Sequence, residues 1–68
     1  MINIWNYIDY KGRIKLTTTD GEEYIGLISD IEDKEEDDAY EDDCLNIYCK
    51  DGVWGFFQYE IEKIEKID

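Results

Sequence analysis

The sequence predicts a mainly β, all-antiparallel fold: a small, strongly bent barrel of five short strands. A short helical turn precedes it, and an acidic loop lies between strands 2 and 3. Three observations predict it. Asp-Gly occurs twice, at 20–21 and 51–52, each time between strand-like runs, and Asp-Gly is the strongest short hairpin signal. Gly26 and Gly55 interrupt two of those runs, and a glycine inside a strand marks a bulge, a bend or a close backbone approach. The chain also carries two Trp, six Tyr and two Phe with 43% apolar residues, enough large side chains to give a 68-residue domain a core.

The elements follow in order. From Asn3 to Tyr10, Ile4 and Ile8 would share a helical face, so one short helix turn ending near Gly12 is expected. Residues 14–19, IKLTTT, alternate apolar and polar and are rich in β-branched types, the pattern of a strand. Asp20-Gly21 then calls for a type I′ turn with positive φ at both central residues. A second strand runs from Glu22 to about Ile31, bent at Gly26, so that it belongs to both halves of the barrel. Residues 33–42 lack apolar side chains except Ala39 and Tyr40 and are expected to form a mobile acidic loop. Strand three is Cys44 to Cys49, with Leu45, Ile47 and Cys49 on one face. A second Asp-Gly turn leads to strand four, Val53 to Tyr59, the most aromatic segment. In the tail, Ile61, Ile64 and Ile67 recur every three residues. That spacing suits a short helix, or a 3-10 turn followed by a strand. The second is preferred, because nine residues make a marginal helix. The expected core is Ile14, Leu16, Ile28, Leu45, Ile47 and Ile64, with Trp54 or Phe56 beside them.

Sixty-eight residues allow one domain, here 1–68. No stretch approaches the 18–20 apolar residues of a membrane-spanning helix, and the N-terminal residues lack the basic and apolar regions of a secretion signal. A cytoplasmic protein is the expectation. Cys44 and Cys49 are five apart. On one strand they would face opposite sides, roughly 16 Å apart at about 3.3 Å per residue, too far for a disulfide. Two reduced structural thiols are expected rather than reactive or metal-binding ones, since the chain has no His and no C-x-x-C.

Charge does most to limit function. Seven basic residues stand against nineteen acidic ones, a net of −12. The segment from Asp30 to Asp43 alone holds ten carboxylates against one lysine, a net of −9. Affinity for nucleic acid comes mainly from Lys and Arg displacing counterions, so direct nucleic-acid binding is disfavoured, although Trp54, Phe56 and Phe57 are of a type that stacks on bases. A calcium loop starting at Asp33 fails at its sixth position, Asp38 instead of glycine, and at its twelfth, Cys44 instead of glutamate. Catalysis lacks a His, a nucleophile motif and a phosphate-binding glycine loop. No catalytic residue, cofactor or metal site is assigned, and no membrane contact is expected.

Over most of its length, from Ile4 to Ile67, the sequence resembles the Sm-like fold (the LSm and Hfq group), an SH3-like five-stranded barrel preceded by a short helix. The matching residues are Gly12, the alternation Arg13-Ile14-Lys15-Leu16, the turn Asp20-Gly21, Gly26 and the closing segment Ile61 to Ile67. The resemblance implies barrel geometry and edge-to-edge assembly into a homo-oligomer. It does not carry RNA binding. Glu32 takes the place of the family's acidic residue after strand two, but the asparagine of the RNA site would fall in Asp33-Lys34-Glu35-Glu36 and is missing. The family's Arg-Gly pair would fall near Phe57-Gln58 and is missing too.

Protein recognition is what remains. The expected function is that of a small non-enzymatic barrel acting through protein–protein contacts or self-assembly, with a basic surface as the natural partner of the acidic loop. The contact residues expected are Glu35, Asp37, Asp38, Tyr40, Glu41 and Asp42. The competing expectation is a nucleic-acid mimic, whose carboxylates stand in for phosphates in the groove of a basic DNA- or RNA-binding protein.

Overall fold

The computed structural model describes residues 2–35 and 41–68. A 3-10 turn, η1 (Ile4–Tyr7), leads to β1 (Arg13–Thr18), β2 (Glu23–Glu32), β3 (Cys44–Cys49) and β4 (Gly52–Phe57). A second 3-10 turn, η2 (Gln58–Glu60), precedes β5 (Ile61–Lys66). The five strands form one antiparallel sheet in the order β4-β3-β2-β1-β5. The mainly β class, the five strands and the antiparallel pairing are therefore as the sequence predicts.

The curvature originates in β2. Its first half pairs with β1, from Thr17↔Glu23 to Arg13↔Leu27, and its second half pairs with β3, from Gly26↔Cys49 to Glu32↔Cys44. The two ladders overlap at Gly26 and Leu27. A Cβ on Gly26 would lie 2.1 Å from the Tyr48 carbonyl oxygen, so only glycine lets β3 pass this closely.

The concave face buries Ile4, Ile14, Leu16, Leu45 and Ile47 completely, and Phe56, Ile61 and Ile64 nearly so. Each fully buried Ile or Leu contributes roughly 1.5–3 kcal/mol relative to exposure. Ile28 only packs against this cluster from a partly buried position. Of the two expected aromatics Phe56 is the core residue, while Trp54 keeps 40% of its surface exposed.

Bulges account for the spacing of three between Ile28 and Ile31 in β2 and between Ile61 and Ile64 in β5. The β2–β3 register shifts between Ile28 and Asp30, which leaves Ser29 as the extra residue. The β1–β5 register shifts between Thr17 and Thr18, where Thr17 meets Lys63 and Thr18 meets Ile61, so Glu62 is the extra residue. A bulge advances the side-chain alternation by one, which turns Ile61 and Ile64 to the same buried face. The spacing of three in the tail therefore belongs to a bulged strand, preceded by the 3-10 turn one step earlier than residue 61.

Three local expectations are corrected. Among the described residues no non-glycine has positive φ, and Gly21 (89°) and Gly52 (134°) are the glycines that do. The first turn is therefore not type I′. Gly21 N–H donates to Thr18 O at 2.9 Å and Thr18 N–H to Glu22 O at 2.8 Å, which makes a three-residue hairpin loop with glycine as its left-handed last residue. In the second hairpin Cys49 pairs with Gly52, so Lys50 and Asp51 form the turn. The N-terminal turn is 3-10, three residues per turn, which places Tyr7 rather than Ile8 beside Ile4. Tyr7 packs against the core, and Ile8 is exposed. Among the described residues no helix is long and apolar enough to cross a membrane.

Candidate functional site

The described ends of the acidic segment are tied to the barrel. At one end, Asn46 Nδ2 donates to Asp30 Oδ1 and to Glu32 Oε1, both at 3.0 Å. Gly55, beside Asn46 on β4, leaves room for that side chain: a Cβ there would sit 2.7 Å from Asn46 Oδ1. At the other end, Asp43 accepts the Trp5 indole N–H at 2.9 Å and the Lys34 backbone N–H at 3.1 Å. These bonds, the indole's first, hold the Asp43 carboxyl below the usual carboxylate range. The segment thus starts and finishes on fixed carboxylates.

Of the expected contact residues, Glu35 is exposed and donates its backbone N–H to Asp33 Oδ1 at 2.8 Å. Glu41 accepts the hydroxyl of Tyr59, and Asp42 accepts the Asp43 backbone N–H at 2.8 Å. The bond to Glu41, together with burial and the neighbouring charges, pushes the Tyr59 phenol up to about 12. Asp37, Asp38 and Tyr40 lie outside the described residues, as do Glu36 and Ala39. Glu41 meets η2 through Tyr59, and Asp42 adjoins Asp43, on which the backbone N–H of Lys34, the neighbour of Glu35, also closes.

Two surfaces escape a reading of the sequence. The first is an apolar row on the convex face. The register aligns Leu27 with Tyr48 and Tyr48 with Val53 across β2, β3 and β4, and all three are exposed. The second is a cleft of about 250 Å³ between the β1–β2 hairpin and β4, lined by Thr18, Asp20, Glu22, Tyr24, Trp54, Phe56 and Glu60 among others. It marks the seam where the sheet does not close: β4 and β5 are its two edges, joined by η2. Thr19 N–H donates to Glu60 O at 3.0 Å and bridges one side of that seam. Sequence reasoning placed Trp54 and Phe56 but missed the cleft, because its walls lie some thirty residues apart in the chain.

The segment matching the late-β4 end is occupied structurally: Gln58 Oε1 accepts the Ile4 backbone N–H at 3.1 Å and so holds η1. Cys44 and Cys49 are free thiols. Burial and the nearby Glu32 charge push the Cys44 thiol up, away from reactive thiolate. No family model matches this sequence, and no curated protein and no solved structure matches it either.

Proposed function

We propose that the chain is a small, non-enzymatic Sm-like barrel that works by contact with a basic protein partner. The observation that carries this reading is where the positive charge goes. Arg13 is held by Asp68 at 2.8 Å, Lys15 lies between Glu23 and Glu65, Lys63 is 3.0 Å from Glu65, and Lys66 sits over the Tyr7 and Tyr10 rings. Each of these cations has a partner within the fold although Arg13, Lys63 and Lys66 are exposed, and the exposed acids Asp20, Glu22, Glu35 and Asp51 add unmatched negative charge to the surface. A surface of this kind attracts basic proteins over a Debye length of about 8–10 Å and repels nucleic acid.

The test is partner capture from a native lysate at low and at high salt. A basic partner held at low salt and released at high salt supports the reading. A partner retained at high salt points instead to the Leu27–Tyr48–Val53 row, and no enrichment of basic proteins sinks the proposal. Conversion of Glu35, Glu36, Asp37 and Asp38 to their amides should weaken capture at low salt. Capture of a nucleic-acid-binding protein whose DNA or RNA then competes would favour the mimic, a reading that the fixed carboxylates of Asp30, Glu32 and Asp43 also support. Self-association is supported by the two sheet edges: among the described residues β4 pairs with β3 alone and β5 with β1 alone. Subunits of charge −12 repel at low salt, so light scattering should show assembly growing with ionic strength.

A further inference from the structure

The cleft at the seam is walled by aromatic rings and carboxylates. Tyr24 is its pivot. Its ring lies 5.4 Å from that of Trp54 at 44° and 4.9 Å from that of Phe56 at 53°. The three rings therefore meet as tilted planes around a corner instead of stacking flat. Phe56 is the buried floor, and Trp54 and Tyr24 present ring surface to the opening.

Both presented rings are fixed. Trp54 Nε1 donates to Asp51 Oδ1 at 3.1 Å, and the Tyr24 hydroxyl donates to Glu22 Oε2 at 3.3 Å. Three carboxylates, Asp20, Glu22 and Glu60, complete the lining, with no lysine or arginine among the lining residues. Glu60 is itself held, since it accepts the Phe57 backbone N–H at 3.0 Å. Burial and the Glu22 charge push the Tyr24 phenol up, in keeping with a negative field in the cleft.

Electron-rich ring faces and carboxylates attract the same kind of ligand. A cation within about 6 Å of a Trp or Tyr centroid is drawn to the ring quadrupole, and carboxylates at the rim add charge that water screens less inside a cleft. The space, about 250 Å³, is several times the roughly 30 Å³ share of one water in the liquid, enough for a guanidinium or alkylammonium head and part of its stem.

We propose that this cleft is a binding site for an organic cation, the guanidinium or alkylammonium end of a basic side chain of a partner protein. The head lies over Trp54 and Tyr24, and Asp20, Glu22 and Glu60 supply the counter-charge. The assignment of the cation to a protein side chain rests on the reading of a basic protein partner given above. The chemistry of the cleft does not.

The test is a titration of the isotopically labelled protein with N-acetyl-arginine amide, N-acetyl-trimethyllysine amide and tetramethylammonium, followed by the indole N–H resonances of Trp5 and Trp54. The controls are N-acetyl-citrulline amide and the tert-butyl analogue of trimethyllysine, neutral compounds of matching shape. The expected result is a saturable shift of the Trp54 signal with the cations, an unmoved Trp5 signal, and at least about fivefold weaker binding of the neutral analogues. Trp54→Leu, followed through the backbone amide signals of Glu22 and Gly55 in place of the lost indole, should weaken binding by a similar factor. Glu22→Gln keeps the acceptor for Tyr24 and should weaken it about threefold, with a shallower salt dependence. Equal shifts from the neutral compounds, or equal non-saturating shifts at Trp5 and Trp54, overturn the site. Binding of tetramethylammonium alone overturns the side-chain assignment in favour of a small free amine. The amide variant of residues 35–38 should titrate like the native protein. A failure of partner capture is thereby distinguishable from a failure of the cleft.

Discussion

Two tryptophans make the same bond in this molecule and put it to different uses. Trp5 and Trp54 each donate an indole N–H to an aspartate, Asp43 at 2.9 Å and Asp51 at 3.1 Å. The Trp5 bond spans 38 residues and fastens the N-terminal turn to the end of the acidic segment; its ring packs against the core. The Trp54 bond spans three residues and fastens nothing distant. It fixes the ring of a side chain that remains 40% exposed. The comparison teaches that the sequence separation of a polar contact distinguishes a clamp from a mount. The first closes one end of the barrel. The second holds a face open to solvent at the seam.

The comparison is broken most severely by removing what the clamp secures. Ile4→Ala takes a fully buried side chain out of the closed end and should cost about 3 kcal/mol in denaturant unfolding. The matching truncation of exposed Ile8 should cost less than about 0.5 kcal/mol. Next comes the clamp bond itself. Trp5→Phe should cost about 1.5 kcal/mol at neutral pH, the lower end for a bond to a charged acceptor, because Asp43 is only partly buried. The cost should depend on pH in a definite direction. The folded carboxyl of Asp43 sits below its unfolded value, so its contribution is present above about pH 4 and lost as pH falls through the folded pKa. Unfolding of native and variant protein at pH 7 and pH 3 should thus show the gap narrowing in acid.

The mount should behave otherwise. Trp54→Phe keeps an aromatic face, removes only a local exposed bond, and should change stability by less than about 0.5 kcal/mol. A loss above 1.5 kcal/mol would make Trp54 a second clamp and erase the distinction. The smallest effect concerns Tyr59, which links η2 to Glu41. Ultraviolet titration should show one tyrosine ionising near 12, and Glu41→Gln should bring it back toward the ordinary value of about 10 with little change in stability.

How much of this was legible in the sequence depended on whether period and contact were local. β3 was legible to the residue, because Leu45 and Ile47 alternate without interruption between Cys44 and Cys49. β1 and its hairpin were legible from alternation and Asp20-Gly21, although the turn type was not. The three-residue loop leaves positive φ to Gly21 alone, and the dipeptide does not distinguish the two geometries. The tail stayed ambiguous because the extra residue Glu62 disguises a strand as a spacing of three. Ile4 was not expected in the core because its backbone is anchored by Gln58, 54 residues away, and its side chain joins a cluster of strand residues distant in the chain. The cleft was illegible for the same reason: Tyr24 belongs to one hairpin and Trp54 to the other, and only the bend at Gly26 brings them into contact. Of the expected contact residues, the sequence marked Glu41 as a charge but gave no sign of its bond to Tyr59.

The pairing of β1 with β5 has a consequence for how the protein is made. Residues 13–18 emerge from the ribosome long before residues 61–66, yet each strand lies against the other in the finished sheet. Until β5 arrives, the nascent chain carries β1 with one flank vacant and Ile14 and Leu16 without Ile64. Such half-built sheets are prone to pair with neighbouring chains on the same polysome. The Asp30–Asp43 segment lies between the two strands in the chain with a net charge of −9, like charge that opposes the association of two such half-built molecules.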